Sequence, residues 1–430
     1  MPLLLDVTPL RASPAFRRLW CGLAISNLGA QLAVVAVGLQ VYYITSSTLA
    51  VGVLGLCALV PLVVFGLYGG ALVYAYDRRT VALISAALLW LVSIALAVQG
   101  WSGLDSVTLL YFLVAVQSAG FAVNNPARSA IIPRLVEARL LPAANMLQTI
   151  AFSVALTVGP LVGAVLVSTW GYGGAYTVDA LLFTATLWAL WRLPSLPPVE
   201  AGASDEEPTG KRGLASVLEG LQYLATRPNV RMTFLVDLIA MILAMPRVLL
   251  PAVGVLFLGG GATTTGILTA AFAAGSVLAG LFSGGLVRIR SQGKVIGLAI
   301  GCFGLAVAGF GLVLVAVGPA APTQVLVGAL IAASMFLALA GASDAISSVF
   351  RQTILQSATP DHMRGRLQGV FLVVVAGGPR LGDVVLGSAA SWLTEGWAAV
   401  AGGVACTLVV AAVLFRQRLF LGYDARHPVP

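Results

Sequence analysis

Long apolar stretches separated by short polar joints run along almost the whole chain. Each stretch holds about 20 residues or more, the length that an α-helix needs to cross a hydrocarbon core about 30 Å thick. Lipid offers no hydrogen-bond partners, so only helices or closed barrels can span it, and these stretches are too long for barrel strands. The pattern predicts twelve transmembrane helices over 19–44, 49–75, 80–100, 106–126, 142–168, 174–193, 230–257, 263–287, 293–317, 323–349, 367–392 and 397–415.

The composition agrees with a chain that lies in a lipid bilayer. Hydrophobic residues make up 59% of the 430 residues and charged residues only 9%, whereas soluble domains carry about 25% charged residues. The mean hydropathy is +0.98. We therefore expect an all-α polytopic membrane protein.

The basic residues report the topology. Of the 24 Lys and Arg residues, 22 lie on one side of the membrane, in the polar joints or at the adjoining ends of predicted spans, and only Arg247 and Arg380 lie deeper within spans. By the positive-inside rule that side is the cytoplasm, so we predict that both termini are cytoplasmic. The net charge of +8 does not indicate a nucleic-acid partner, because the basic residues form no single patch.

A Pro-rich, acidic segment divides the spans six and six. Residues 194–228 are predicted to form a cytoplasmic linker, in which 214–224 fits a short interfacial helix, between halves at 1–193 and 229–430. A weak internal repeat relates the halves and places Gly159 opposite Gly382. Two such pseudo-symmetric halves are typical of alternating-access transporters with a substrate site near the bilayer midplane.

Several motifs carry a resemblance to a known family. The segment Asn125-Pro126-Ala127-Arg128-Ser129-Ala130-Ile131-Ile132-Pro133-Arg134-Leu135-Val136 resembles a signature of the major facilitator superfamily group that contains enterobactin exporters and multidrug:proton antiporters. Arg247-Val248-Leu249 in the seventh span and Gly365-Arg366-Leu367 at the eleventh are similar to the same exporters. The resemblance covers nearly the whole chain and implies the major facilitator fold in a bacterial inner (plasma) membrane.

Two further motifs depart from the superfamily pattern. Ala155-x-x-x-Gly159-Pro160-x-x-Gly163 in the fifth span is similar to the antiporter motif, which normally begins with Gly; mere helix packing is the alternative interpretation. The loop motif appears as Gly70-Ala71-Leu72-Val73-Tyr74-Ala75-Tyr76-Asp77-Arg78-Arg79, with Tyr74 in place of the acid. The resemblance implies that this acid helps to latch the two halves, so the latch is either weakened or carried by Asp77.

Charged residues inside a membrane are costly and are candidates for function. The depth of each residue along its helix predicts two clusters, one of Arg247, Arg380 and Asp383 and the other of Asp237 and Asp344. Arg380 and Asp383 are three residues apart and can pair, either to couple a proton or as a static salt bridge. Asp237 faces a cavity or the cytoplasm, and Asp179 is interpreted as interfacial.

Uncharged polar side chains are predicted to line a substrate cavity. These are Asn27 and Gln31 in the first span, Gln117 in the fourth and Gln148 in the fifth. Hydrogen bonding between helices is the alternative for each of them.

The leading hypothesis is proton-coupled export, by alternating access, of a small amphiphilic molecule such as a siderophore or drug. The expected partners are this substrate, protons and lipid, and we expect a monomer. Because the sequence contains no P-loop, catalytic triad or metal-ligand spacing, we expect no enzyme, cofactor or metal site. The alternatives are a substrate:proton symporter for nutrient uptake and a non-transporting scaffold or receptor.

Overall fold

The computed structural model describes residues 7–137, 140–196, 222–281, 291–357 and 361–423, and helices account for nearly all of them. The first helices are α1 (Thr8–Ala12), α2 (Pro14–Thr45), α3 (Thr48–Ala75), α4 (Arg78–Ser102), α5 (Val107–Leu135), α6 (Leu141–Trp191) and α7 (222–226). They are followed by α8 (Pro228–Ala244), α9 (Leu250–Ala252), α10 (Gly261–Leu281), α11 (Gln292–Val317), α12 (Val327–Ser357), α13 (Asp361–Leu393), α14 (Glu395–Arg416) and α15 (Arg418–Leu421).

The chain divides into two compact units. The first contains residues 1–40 and 57–213, and the second contains 41–56 and 214–430. This grouping differs from the predicted halves in assigning 41–56, the end of α2 and the start of α3, to the second unit. The predicted linker at 194–228 lies largely outside the described residues and stays a prediction.

The predicted spans correspond to helices. Ten stretches of the described residues are long and apolar enough to cross a membrane. One of them lies in α6 and covers two predicted spans. Gly171, which has φ +70°, interrupts α6 between these two spans. The eleventh predicted span corresponds to α13. The prediction of an all-α, polytopic fold with twelve spans is confirmed.

Two predicted helix ends were wrong. The fourth predicted span ends at residue 126, but α5 continues through Pro126 and Pro133 to Leu135. The tenth predicted span ends at residue 349, but α12 continues to Ser357. An apolar run marks where lipid contact ends, whereas a helix ends where its hydrogen-bond ladder ends.

The seventh span is a broken helix. After α8, Met245 has an extended ψ of 105°, because the ring of Pro246 excludes the α conformation for the residue before it. A 3-10 turn over Pro246–Leu249, the short α9 and a π turn over Val253–Phe257 complete the span. The break places Arg247 in the first turn after the kink.

Glycines bring helices into close contact in each unit. A Cβ on Gly159 would lie 2.5 Å from Gln31 Cβ, so the fifth-span motif packs on α2. Gly382 of α13 likewise packs on the Met241 carbonyl of α8. Lipid supplies no hydrophobic force between helices, so such close approach supports their association. The two glycines that the repeat aligns therefore have equivalent packing roles.

Asp77 ties the start of α4 to the end of α6 in the first unit. Its Oδ1 accepts from Thr80 N at 2.9 Å, and its Oδ2 accepts from Ser195 Oγ at 2.6 Å and from Leu196 N at 2.7 Å. Burial acts to raise the pKa of Asp77, but these hydrogen bonds outweigh it and hold the pKa below its ordinary value. The described partners of Asp77 all lie within this unit.

Replacing Asp77 with Asn should lower stability by about 1–2 kcal/mol, because a helix cap and two further hydrogen bonds weaken. Since the folded-state pKa is lowered, the contribution is present at neutral pH and disappears as the pH falls through that value. Thermal unfolding in detergent should therefore show a difference from wild type that shrinks on acidification. Asp105→Asn, in an exposed loop position, is the control, and a pH-independent difference would contradict the assignment.

Candidate functional site

The first charge cluster contains a buried ion pair between two helices of the second unit. Arg247 Nη2 donates to Asp383 Oδ2 at 2.9 Å. The Asp383 side chain is 4% exposed and that of Arg247 is 35% exposed. Asp383 Oδ1 is buried without a hydrogen-bond partner among the described residues. The carboxylate is thus countered on one oxygen only.

The predicted pairing of Arg380 with Asp383 is replaced by the pair from Arg247. Within the part of the chain that the structure describes, Arg380 takes part in no ion pair. It lies beside the cluster, with its Cδ 3.5 Å from where a Cβ on Gly55 would be. Helix spacing allows the pair within α13, but the kink at Pro246 brings Arg247 to Asp383 instead.

Small residues enclose Asp383. A Cβ on Gly52 would lie 2.5 Å from the Asp383 carbonyl oxygen, and one on Gly55 would lie 2.9 Å from Asp383 Oδ2. The start of α3 therefore packs directly against the acid, while Gly382 packs the same stretch of α13 against α8. Movement of any of these three helices changes the surroundings of the carboxylate.

A second cluster joins Arg351 to two acids, also in the second unit. Arg351 Nη1 donates to Asp237 Oδ1, and Arg351 Nη2 donates to Asp344 Oδ1 at 3.5 Å. Asp237 and Asp344 thus share one cation, as expected for two acids at similar depth. Asp237 is 8% exposed and Asp344 is 29% exposed, so the pair with Asp237 is the buried one.

Sequence reasoning missed Arg351 because the apolar run of its helix ends just before it. Arg351 follows Asp344 by two helical turns, so the two side chains share one face of α12. This spacing is the signal that could have found it. A charged pair at that distance predicts that the helix continues and that the pair is buried against a neighbour.

Arg128 of the exporter signature meets an amide instead of an acid. Its Nη1 donates to Asn124 Oδ1 at 3.3 Å, while Asn124 Nδ2 donates to the Ala82 carbonyl and to Ser85 Oγ of α4, both at 3.0 Å. Arg128 Nε is buried without a partner among the described residues. The signature therefore fastens α5 to α4 and leaves the guanidinium charge uncompensated within this contact.

The loop arginines hold the end of α6. Arg79 Nη2 donates to the Trp191 carbonyl at 2.6 Å and its Nε to the Leu190 carbonyl at 3.3 Å. Arg78 Nη1 reaches the Ala130 carbonyl of α5 at 3.5 Å. The Arg79 contacts satisfy carbonyls at the C-terminus of α6, where cations are favoured.

The predicted cavity side chains are half-buried, and the structure does not bring them together. Within the described residues, no side-chain hydrogen bond joins Asn27, Gln31, Gln117 or Gln148 to another residue or to each other. A shallow cavity of about 660 Å³ lies instead along α4 and α6, lined mainly by apolar residues that include Trp90 and Trp101. None of the four polar residues lines it.

Other predicted residues add less to the site. Pro160 and Gly163 are buried, and Gly163 packs on Leu32 of α2. Pro126 is half-buried within α5. Gly70 and Arg366 lie in α3 and α13, but their side-chain surroundings are outside the described part of the chain. No group of three or more His, Cys, Asp or Glu side chains suited to a metal ion occurs among the described residues.

Asp179, interpreted as interfacial from its position near the end of a span, is buried against neighbouring helices. Its side chain lies inside the first unit and its residue is 1% exposed. Ser93 Oγ of α4 lies 2.7 Å from its Oδ2. A position near the predicted end of a span does not indicate whether its side chain is buried, because neighbouring helices can cover that end.

Replacing Asp237 with Asn should destabilise the protein by about 3 kcal/mol or more, because it leaves a buried guanidinium with only its distant partner. Asp344→Asn is the matched control, and its cost should be roughly 1 kcal/mol since that acid is more exposed and 3.5 Å away. Apparent melting temperatures of the purified variants in one detergent measure both. Equal losses would contradict the assignment of Asp237 as the main partner of Arg351.

Comparison with known proteins places these features in a family. A family model described as transmembrane secretion effector matches residues 6–426. The chain is 28% identical over 418 residues to the enterobactin exporter EntS of Shigella boydii serotype 18, covering 96% of this chain and 94% of that protein. The enterobactin exporter EntS of Citrobacter koseri is 28% identical over 434 residues, covering 99% and 97%.

Solved structures share the fold at low sequence identity. The nucleoside transporter NupG matches with a TM-score of 0.71 at 11% identity, over 93% of this chain and 98% of that one. A bacterial homologue of the iron transporter ferroportin in an inward-facing state matches with a TM-score of 0.68 at 15% identity, over 94% and 98%. The matched relatives are transporters, which supports a transporter and not an enzyme. The chain is a multi-pass membrane protein that belongs to the transmembrane secretion effector family of the major facilitator superfamily.

Proposed function

We propose that this transporter exports a small amphiphilic molecule in exchange for protons, by alternating access between two half-transporters. The observation that carries the proposal is the Arg247–Asp383 pair, in which a buried carboxylate has one oxygen paired and the other without a partner. Such a carboxylate has an oxygen that could accept either a proton or a hydrogen bond from the substrate.

The chemistry of the pair suits coupling. A proton on Asp383 would remove the charge that holds Arg247. A cationic or hydrogen-bond-donating group of a substrate that binds to Asp383 would displace this proton. Substrate and proton would then compete for the same carboxylate, which is the requirement for exchange. Gly52 and Gly55 of α3 touch this acid, so its protonation would also alter helix packing.

The relatives and the polar side chains support the proposed substrate class. Relatives covering almost the whole chain are named enterobactin exporters, so a siderophore or a drug-like amphiphile is the favoured cargo. Asn27, Gln31, Gln117 and Gln148 would offer amide groups to it. Arg380 borders the pair and would tune its charge. We place the protein as a monomer in the bacterial inner membrane, with both termini in the cytoplasm.

Asp383→Asn should abolish substrate-induced proton release, because an amide neither binds nor releases a proton at this position. The measurement uses purified protein in detergent with a pH-sensitive dye, across catecholate siderophores and lipophilic cations. Asp237→Asn should retain proton release per folded molecule, since Asp237 is held by the buried Arg351. Asp105→Asn in an exposed loop controls for the loss of any carboxylate.

Proteoliposomes then test direction and coupling. With an imposed pH gradient, wild type should move the substrate against the proton flow, and Asp383→Asn should lose the dependence on the gradient. Proton uptake in the same direction as the substrate would indicate symport and overturn the proposal. Loss of proton release in Asp237→Asn alone would move the coupling role from Asp383 to the second cluster.

A further inference from the structure

Asp179 is a buried acid that has no cationic partner among the residues that the structure describes. It lies on α6 beyond the Gly171 interruption, in the first unit, and is 1% exposed. Its Oδ2 lies 2.7 Å from Ser93 Oγ, and its Oδ1 is buried with no hydrogen-bond partner in the part of the chain that the structure describes. No ion pair of the described residues includes it.

The helices around Asp179 present no charge at its level. It packs against Gly29 of α2 and Ser93 of α4. On α2 the nearest ionisable residue to Gly29 is Cys21, about 12 Å along the helix, and on α4 the nearest to Ser93 is Arg79, about 21 Å away. On its own helix the titratable neighbours are the phenols of Tyr172 and Tyr176, which are neutral at physiological pH.

An ionised carboxylate in these surroundings would be unstable. A charge removed from water without a partner costs many kcal/mol, and the group takes up a proton instead. In the neutral form the Asp179 hydroxyl can donate to Ser93 Oγ across the same 2.7 Å, and only a carbonyl oxygen is left unpaired. We propose that Asp179 is a proton-binding site of the first unit, and that it holds a proton while α2 packs against α6.

A polar seam extends along α6 on both sides of this site. Tyr176, Asp179, Phe183 and Thr186 share one face of the helix. Beyond Asp179 in one direction, the Tyr176 hydroxyl donates to Gln40 Oε1 at 2.8 Å, and Gln40 lies within hydrogen-bond distance of Gln99.

In the other direction, Thr186 Oγ1 donates to the Gly22 carbonyl at 2.9 Å and lies 2.7 Å from Ser26 Oγ. All of these polar groups are buried between α2, α4 and α6. Asp179 is the acid in the middle of this seam of hydroxyls and amides.

Gly29 links the proton to the position of α2. A Cβ at Gly29 would lie 2.6 Å from Asp179 Oδ1, so a glycine is required for α2 to pack this closely on the carboxyl. A negative charge on this buried oxygen would need solvation. We therefore expect loss of the proton to require that α2 moves away from α6. This site deepens the proposed proton coupling. Its use in transport rests on that proposal, whereas the binding of a proton to Asp179 does not.

Infrared spectroscopy of the purified full-length protein tests the site without a transport assay. Wild type at neutral pH should show a carbonyl stretch of a protonated carboxyl that shifts in heavy water. Asp179→Asn should lose this band, and Ser93→Ala should shift it because the hydrogen bond to Ser93 is removed. Asp383→Asn is the matched control and should keep the band, since Asp383 is paired with Arg247.

Three results would overturn the proposal: no protonated-carboxyl band in wild type, an unchanged band in Asp179→Asn, or loss of the band in Asp383→Asn instead. If Asp179→Asn does not fold, an unshifted band in Ser93→Ala overturns it equally. A wild-type protein that shows the band but releases no protons with substrate would contradict the proposed coupling and leave this site standing.

Discussion

The absence of water in the hydrocarbon core governs where the charged side chains of this transporter lie. An ion there costs about 2.5–3.5 kcal/mol even on a lenient scale, so each must find a partner or lose its charge. The second unit meets this constraint with cations, since Arg247 pairs with Asp383 and Arg351 is shared by Asp237 and Asp344. The first unit meets it without a cation at Asp179, where a hydroxyl and close packing surround the acid.

Close approach of the helices makes these arrangements possible. Glycines at 52, 55 and 382 let α3 and α8 reach the acid on α13, and Gly29 lets α2 reach the acid on α6. Lipid gives no hydrophobic drive for helix association, so small residues and buried polar contacts provide the specificity. The same glycines make each acid sensitive to helix movement, because a displacement of one helix exposes or compresses a carboxyl oxygen.

Hydropathy alone predicted the fold class and the number of spans, because the length of an apolar run is set by bilayer thickness. The charged clusters were predicted in part: Asp237 with Asp344 and Arg247 with Asp383 follow from depth along the helices. Arg351 was missed because α12 outlasts its apolar run. Asp383 forms its ion pair with Arg247, which follows the helix break at Pro246, and not with Arg380 three residues away on its own helix. The burial of Asp179 was not predicted, since the burial of a helix face depends on its neighbours, which a single sequence does not specify. For the same reason, the pattern of residues along single helices does not predict which polar side chains share a cavity.

The three buried acids differ in how completely their charge is countered, and this difference orders their expected chemistry. Asp237 faces a buried arginine, so removing its charge would strand that cation, and the pair is suited to a permanent structural role. Asp383 faces an arginine that is partly exposed, and its Oδ1 has no partner among the described residues. Asp179 pairs with no cation in the described part of the chain, which supports the proposal that it binds a proton. A proton-coupled cycle requires acids that change state, and on this ordering Asp237 is suited to a static role while Asp383 and Asp179 are the acids proposed to exchange protons.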